Sequence, residues 1–354
     1  MTTGSSGPGT GTAADDGDAR APGRTLRGSA ILTGAHLVAR LPEAPLVAAA
    51  ESIGELWYRA QPARAAQARA NLGRVCEGLA AQGRGATQVR RAATDPDALE
   101  RIVRAAFRHA ARYYLEVARA DRYEFDAILA RIDVETPGEV EAALRSGRPV
   151  ILIGMHYGAI EVPVIVAREM VGHQVTAPME TVGDPGLQRW FRESRSRVGV
   201  NVVPIADARR ELTAALRRGE SVGMVADRDL TGGGIMVPFF GHPAPIPAGP
   251  ALLSIETGAP IYVGWARRTK GYRYRGGLAL VPAPQPGRLR ARVTEITTSI
   301  VREFETLLAD GPEQWWGAFH PIWPDLAVGA KPTSPAPAGA DDAATADPAP
   351  GTPA

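Results

Sequence analysis

The stretch Pro149-Val-Ile-Leu-Ile-Gly-Met-His-Tyr-Gly-Ala-Ile-Glu161 decides the fold. Pro149 to Gly154 is a short apolar run rich in β-branched residues, behind a turn signal at Ser146-Gly147, so it reads as a buried strand. A second apolar segment of helical length, Val162 to Val171, follows. His156 therefore sits at the carboxyl end of a strand, on the turn that opens a helix, and in open α/β sheets that crevice gathers ligands and catalysis. The chemical reading makes His156 a general base whose second ring nitrogen is held by the Glu161 carboxylate. On a continuous helix the two positions would lie about 140° apart. They can meet only if His156 stays on the turn, a bend that Gly158 permits because it has no Cβ. The same residues also read as a strand-end histidine bonded to a backbone carbonyl, with Glu161 an ordinary helix N-terminal charge. This stretch alone leaves both readings open.

Working outward, strands alternate with helices from Val140 onward. Strands are expected at Val150–Gly154, Gln174–Ala177, Val200–Ile205, Val222–Ala226, Ile261–Arg267 and Arg275–Pro282. Helices are expected near Val162–Val171, Pro185–Val198, Ala208–Arg218, Ala248–Thr257 and Arg288–Ala309. The last two strands flank Thr269-Lys270-Gly271 and read as a hairpin. The pattern is an α/β fold: a mostly parallel central sheet with an antiparallel edge, flanked by helices. Upstream, the pattern from Ser29 to Ala130 is helical. One helix is announced by Asp95-Pro96-Asp97 and runs through Phe107, Tyr113 and Tyr114 to about Ala120. Aromatics interleaved with arginines there fit either a helical arm lying on an anionic membrane or amphipathic helices packed on the domain.

The ends differ in composition. Residues 1–28 are rich in Gly, Ser, Thr, Pro and Asp, and residues 328–354 are rich in Pro, Ala and Asp, so both are expected to be disordered tails. Between them residues 29–327 are expected to form one domain, with a helical lead-in over 29–135 and an α/β core over 136–327.

Composition removes several function classes. A formal net charge of +2 gives no broad basic field, so no nucleic-acid partner is expected. Cys76 is the only cysteine, which excludes a disulfide framework and a thiolate metal site. His36, His109, His173, His242 and His320 show no metal spacing. No apolar h-region marks a signal peptide, and Ala30–Ala50 is too interrupted by polar residues and prolines to span a bilayer. There is no Gly-x-Ser-x-Gly elbow and no dinucleotide fingerprint, and Thr231-Gly-Gly-Gly234 lacks the Lys-Ser/Thr of a P-loop.

Further charged groups stand at strand or helix ends. Glu180 follows a strand, where its position alone reads as a solvated loop charge, and Ala226-Asp227-Arg228-Asp229 ends a buried strand in three consecutive charges, which at such a position usually serve a site or one another. Arg195 and Arg197 close a helix before Gly199, which is also plain helix-end chemistry. A histidine base with carboxylates and arginines, and no covalent nucleophile or metal, suits direct transfer of an activated acyl group.

The ordered series of these motifs resembles the bacterial lysophospholipid-acyltransferase-like family that contains the lipid A late acyltransferases, in the branch of the phosphatidylinositol mannoside acyltransferases. The resemblance runs from about Leu32 to Asp325. It takes in Leu41-Pro-Glu43, Arg64 to Val75, Arg112-Tyr-Tyr-Leu-Glu116, His156-x4-Glu161, Glu180 and Arg195-Ser-Arg-Val-Gly199. Ala226-Asp-Arg-Asp-Leu230, Val237-Pro-Phe-Phe-Gly241, Ile246-Pro-Ala-Gly-Pro250 and Pro312-Glu-Gln-Trp315 complete it. What the resemblance implies is an acyltransferase without a bound cofactor, taking its chain from acyl-CoA or acyl carrier protein and working as a peripheral protein on the cytoplasmic face of the cell membrane. In that scheme His156 and Glu161 are catalytic and Gly158 shapes their loop. Glu180, Arg195, Arg197, Asp227, Arg228 and Asp229 line the acceptor and phosphate side. Many members read Asn-Trp where this chain has Ala159-Ile160. The acceptor implied is a hydroxyl of a membrane glycolipid or lysophospholipid; the alternative is a soluble amine or hydroxyl acceptor with a carrier-bound donor. The aromatic run Trp315 to Trp323 reads either as a contact with lipid headgroups or as a cover for the sheet edge, and the structural reading is preferred.

Overall fold

The computed structural model describes residues 33–34, 41–119, 125–181 and 183–329. The tails expected over 1–28 and beyond Gly329, and most of Ala30–Arg40, lie outside these described residues.

The core is a seven-stranded sheet. Its strands are β1 (Ile132–Val134), β2 (Ile151–Gly154), β3 (Val175–Met179), β4 (Val200–Pro204), β5 (Ser221–Val225), β8 (Ile261–Arg268) and β9 (Tyr274–Leu280), in the order β1-β9-β8-β2-β5-β3-β4. β8, β2, β5, β3 and β4 run parallel, whereas β9 turns back against β8 and carries β1 along with it. The antiparallel edge is the expected hairpin, widened by one strand. β1 escaped the sequence reading because three residues with one buried side chain leave no period to detect. β6 (Ile235–Phe239) and β7 (His242–Ile246) form a separate antiparallel hairpin. Pro238, Pro243 and Pro245 lie inside these strands and argue against strand in sequence.

Eleven helices are described: α1 (Glu43–Ala60), α2 (Pro62–Ala81), α3 (Thr87–Arg91), α4 (Pro96–Arg119), α5 (Phe125–Leu129), α6 (Gly138–Arg145), α7 (Glu161–Val171), α8 (Pro185–Arg197), α9 (Ala208–Arg217), α10 (Gly249–Thr257) and α11 (Leu289–Asp310). Strand β2 shows why both faces of the sheet are covered. Ile151 and Ile153 point into the core shared with α2, α4, α9, α10 and α11, while Val150 and Leu152 point into the opposite layer with α6 and α7. The helical lead-in packs on the domain: α1 lies along α4, and Leu72, Val75, Leu79, Val103 and Phe107 are fully buried.

The lead-in is tied to the sheet by one buried ion pair. The Arg268 guanidinium on β8 donates to both carboxylate oxygens of Glu116 on α4, at 2.7 and 2.6 Å. Gln314 brackets the backbone of Arg268, accepting from its N–H and donating to its C=O. No helix among the described residues is long and apolar enough to cross a membrane.

Candidate active site

Strand β2 ends at Gly154, and the chain then runs Met155, His156, Tyr157 before bending at Gly158 into α7. Gly158 has φ +57°, and a Cβ there would collide with the carbonyl oxygen of Ala266 on β8. Both facts require glycine. The segment from Gln314 to Phe319 then clamps the turn. Gly158 N–H donates to Gln314 C=O, and Trp316 N–H donates to His156 C=O.

The carboxylate on the imidazole belongs to Asp227. His156 Nδ1 lies 2.6 Å from Asp227 Oδ1, while Asp227 Oδ2 accepts from the His156 backbone N–H at 3.1 Å and the Trp315 indole N–H at 2.8 Å. The cause is sheet register. β2 and β5 are parallel neighbours with Gly154 opposite Val225, so residues two steps beyond each strand end come side by side. Asp227 is fully buried. Burial pushes its carboxyl up, but the adjacent His156 ring, the His156 and Trp315 hydrogen bonds and the Arg228 charge more than offset this, and the group lies below the ordinary aspartate value. Gly317 lets the segment approach, since a Cβ there would strike Asp227 Oδ2.

Glu161, expected to hold the histidine, instead faces α8. As the first residue of α7 it points away from the turn, and Arg195 lies 3.5 Å from its carboxylate. The buried Tyr113 phenol joins this pair: burial pushes it well above its ordinary value, and the Glu161 and Arg195 charges both act on it. Burial lowers the Arg195 guanidinium, yet Glu161 and Tyr113 together hold it above its usual value. Rings join the two clusters. Tyr113 stacks on Trp316 with centroids 4.5 Å apart, and Trp316 stands edge-on to His156 at 4.6 Å.

Arg228 closes the other side of the imidazole. Its Nη2 lies 3.2 Å from His156 Nε2 and 3.3 Å from the exposed Glu180 carboxylate. With Nδ1–H donating to Asp227, Nε2 is the acceptor of this contact. Asp229 turns away: its carboxylate accepts from the backbone N–H groups of Thr231, Gly232 and Gly234 and so holds that loop. Arg197 is exposed on α8, two residues beyond Arg195. The fold thus gathers His156, Asp227, Arg228 and Glu180 in one cluster and Glu161 and Arg195 in another, with Gly158 as the pivot. It leaves Asp229 and Arg197 outside both.

Tyr113, Trp315 and Trp316 were missed as site residues, although the motif series already contained Tyr113 and Trp315. The aromatic run packs against the His156 turn and the β6–β7 hairpin, and Trp315 and Trp323 are fully buried.

Beside the turn, between the sheet and α7, lies an apolar cavity of about 110 Å³. Leu152, Gly154, Val164, Gly223, Gly264 and Trp265 line it, and Glu161 and Arg195 contribute its polar edge. The arrangement offers an imidazole whose Nε2 faces Arg228, an anion to stabilise its protonated form, guanidinium groups, and a slot for an apolar chain.

Comparison with known proteins gives the family. The model of the bacterial lipid A biosynthesis acyltransferase family matches residues 17–324. The chain is 28% identical over 239 residues to a phosphatidylinositol mannoside acyltransferase of Mycolicibacterium smegmatis, covering 64% of this chain and 74% of that protein. It is likewise 28% identical over 221 residues to a protein of the same description from Mycobacterium tuberculosis, covering 60% and 67%.

Proposed function

Because the chain belongs to the bacterial lipid A biosynthesis acyltransferase family and is an acyltransferase, we propose that it moves a fatty acyl chain from a thioester to a hydroxyl of a membrane glycolipid or lysophospholipid. The observation that carries the reading is the 2.6 Å contact of His156 Nδ1 with the buried Asp227 at the carboxyl end of the sheet. Asp227 fixes the tautomer in which Nε2 is the proton acceptor. The acceptor O–H proton passes to Nε2 as the oxygen attacks the thioester carbonyl carbon. A C–O bond forms, the C–S bond breaks, and the leaving thiolate takes the proton back from the imidazolium. Asp227 stabilises that imidazolium. Asp227 is thus the orienting carboxylate in this mechanism. Glu161 keeps a structural part, holding Arg195 and Tyr113 at the cavity edge.

The apolar cavity suits the acyl chain of the donor, acyl-CoA or acyl carrier protein. A membrane-borne acceptor is supported by the outer face of α1, where Ile53 and Leu56 are 59% and 63% exposed and Tyr114 of α4 adds a half-exposed ring. Exposed apolar side chains beside a site mark an interaction surface. This fits a protein working peripherally on the inner face of the cell membrane. Thioester turnover with acyl-CoA and acyl carrier protein, each with pooled hydroxyl acceptors and products read by mass spectrometry, tests the reading. Transfer is expected from wild type and its loss from His156→Ala with folding intact. Transfer that survives in His156→Ala overturns the mechanism.

A further inference from the structure

The base faces a guanidinium in this structure. Nε2 carries the one lone pair with which His156 can take a proton, and Arg228 Nη2 donates to it at 3.2 Å. A hydroxyl cannot deliver its proton to an occupied lone pair, so Arg228 must leave before the reaction begins. Two features beside it lack an acceptor. Arg228 Nε and the indole N–H of Trp316 are both buried donors without a protein partner. Native proteins rarely leave such donors unmade, and those they leave tend to stand at functional sites. Arg64, at the start of α2, adds a second cation. Its guanidinium lies 5.6 Å from the Trp57 ring, Trp57 is 6.1 Å from Tyr114, and among the described residues no carboxylate is paired with it. Trp57, under Arg64, packs on Phe319 at 5.6 Å, and Trp316 of the same segment packs on His156, beside Arg228, at 4.6 Å, so one short aromatic segment lies between the two guanidinium groups; both charges bear on Tyr114 and His320. The exposed carboxylate facing Arg228 there is Glu180, at 3.3 Å, while Asp227 lies fully buried behind the imidazole and is already bonded to His156 and Trp315. The surface is left with two unmade donors, and planar guanidinium forks fit phosphate oxygens bidentately.

We propose that Arg228 is a latch on His156 and that a phosphate group of the substrate opens it, drawing Arg228 towards Arg64 and freeing Nε2. Arg228 is then a positioning residue that selects for substrates bearing a phosphate. The proposal rests on the acyltransfer reading above and adds what the site demands of its substrate.

The test offers two hydroxyl acceptors of equal chain length, lysophosphatidylglycerol with a phosphodiester and monoacylglycerol without one. Wild type should prefer the phosphodiester. Arg228→Gln should speed transfer to monoacylglycerol and slow transfer to lysophosphatidylglycerol, each by about tenfold, the factor expected from one charge-assisted hydrogen bond. Arg64→Gln should raise KM for the phosphodiester acceptor. Inorganic phosphate should accelerate wild type on monoacylglycerol and leave Arg228→Gln indifferent. Running each acceptor with acyl-CoA and with an N-acetylcysteamine thioester, which has no phosphate, separates the sources. Acceleration confined to the N-acetylcysteamine donor assigns the anion to CoA, and acceleration confined to monoacylglycerol assigns it to the acceptor. Equal loss on both acceptors in Arg228→Gln, or no response of wild type to phosphate, overturns the latch. If wild type transfers to neither acceptor, the acyltransfer reading fails. The latch is then judged by the ring 15N resonances of His156 during phosphate titration: movement in wild type but not in Arg228→Gln upholds it, and no movement in either overturns it.

Discussion

Asp227→Asn tests the orienting carboxylate with almost no change of shape. Asp227 Oδ2 accepts two N–H donors, from the His156 backbone and Trp315, and Oδ1 faces His156 Nδ1. An asparagine keeps both N–H donors satisfied only by placing its carbonyl oxygen at the Oδ2 position. Its amide NH2 then points at Nδ1, which must become the acceptor, and the ring proton moves to Nε2. A protonated Nε2 cannot act as base, and it also faces the Arg228 donor at 3.2 Å. Loss of a positioned general base costs about 10²–10⁴ in rate, and a wrong-tautomer histidine sits near the upper end, at about 10⁴. We expect kcat for thioester turnover to fall by about 10³-fold, near 4 kcal/mol of transition-state stabilisation. Folding should weaken by only about 1.5–3 kcal/mol, the worth of one charge-assisted hydrogen bond. Glu161→Gln, assayed beside it, removes a 3.5 Å contact with Arg195 and leaves the imidazole untouched. Its rate loss should stay within about tenfold, or ~1.4 kcal/mol. Thiol release under saturating donor gives kcat, and a urea midpoint gives stability. A Glu161→Gln loss equal to that of Asp227→Asn, or an Asp227→Asn enzyme within tenfold of wild type, refutes the assignment.

Gly158→Ala should destabilise by about 2–4 kcal/mol, because a Cβ at φ +57° collides with the Ala266 carbonyl; equilibrium unfolding measures this, and an unchanged midpoint contradicts it. Glu116→Ala strips the partner from the buried Arg268 and should cost about 3–5 kcal/mol, read as a lower denaturation midpoint. His320 is held down to about 4, first by burial and then by Arg228 and Arg64. The unfolded chain binds that proton near pH 6.5 and the folded chain does not, so stability falls as pH drops from 6.5 towards 4. The loss should be about 1–2 kcal/mol after allowing for partial exposure of the ring, and His320→Gln should flatten that part of the pH profile in urea titrations. Gly223→Val places two methyl groups in the cavity between the sheet and α7 and should lower turnover of long-chain thioesters relative to short ones in a chain-length series. Equal loss at every length would separate this cavity from the acyl chain.

Sequence alone determined the alternation of strands and helices, the pivot at Gly158, and a histidine at the carboxyl end of β2. These are local consequences of side-chain period, turn chemistry and propensity, so a short window of residues carries them. It also named Glu161 as the partner of His156, on the strength of a separation of five residues. Tertiary structure decided otherwise, because β5 lies beside β2 in the sheet and brings Asp227 next to His156 across 71 residues of chain. Strand order depends on how the whole chain buries its two apolar faces, and no local pattern encodes it. The same neighbouring of β5 and β2 sets Arg228 against the imidazole, whereas Trp316 reaches it only because the C-terminal segment folds over the turn, where it stacks on Tyr113 of α4. Short-range spacing proposes a pair, and the free energy of burying both faces of the sheet selects which carboxylate reaches the histidine.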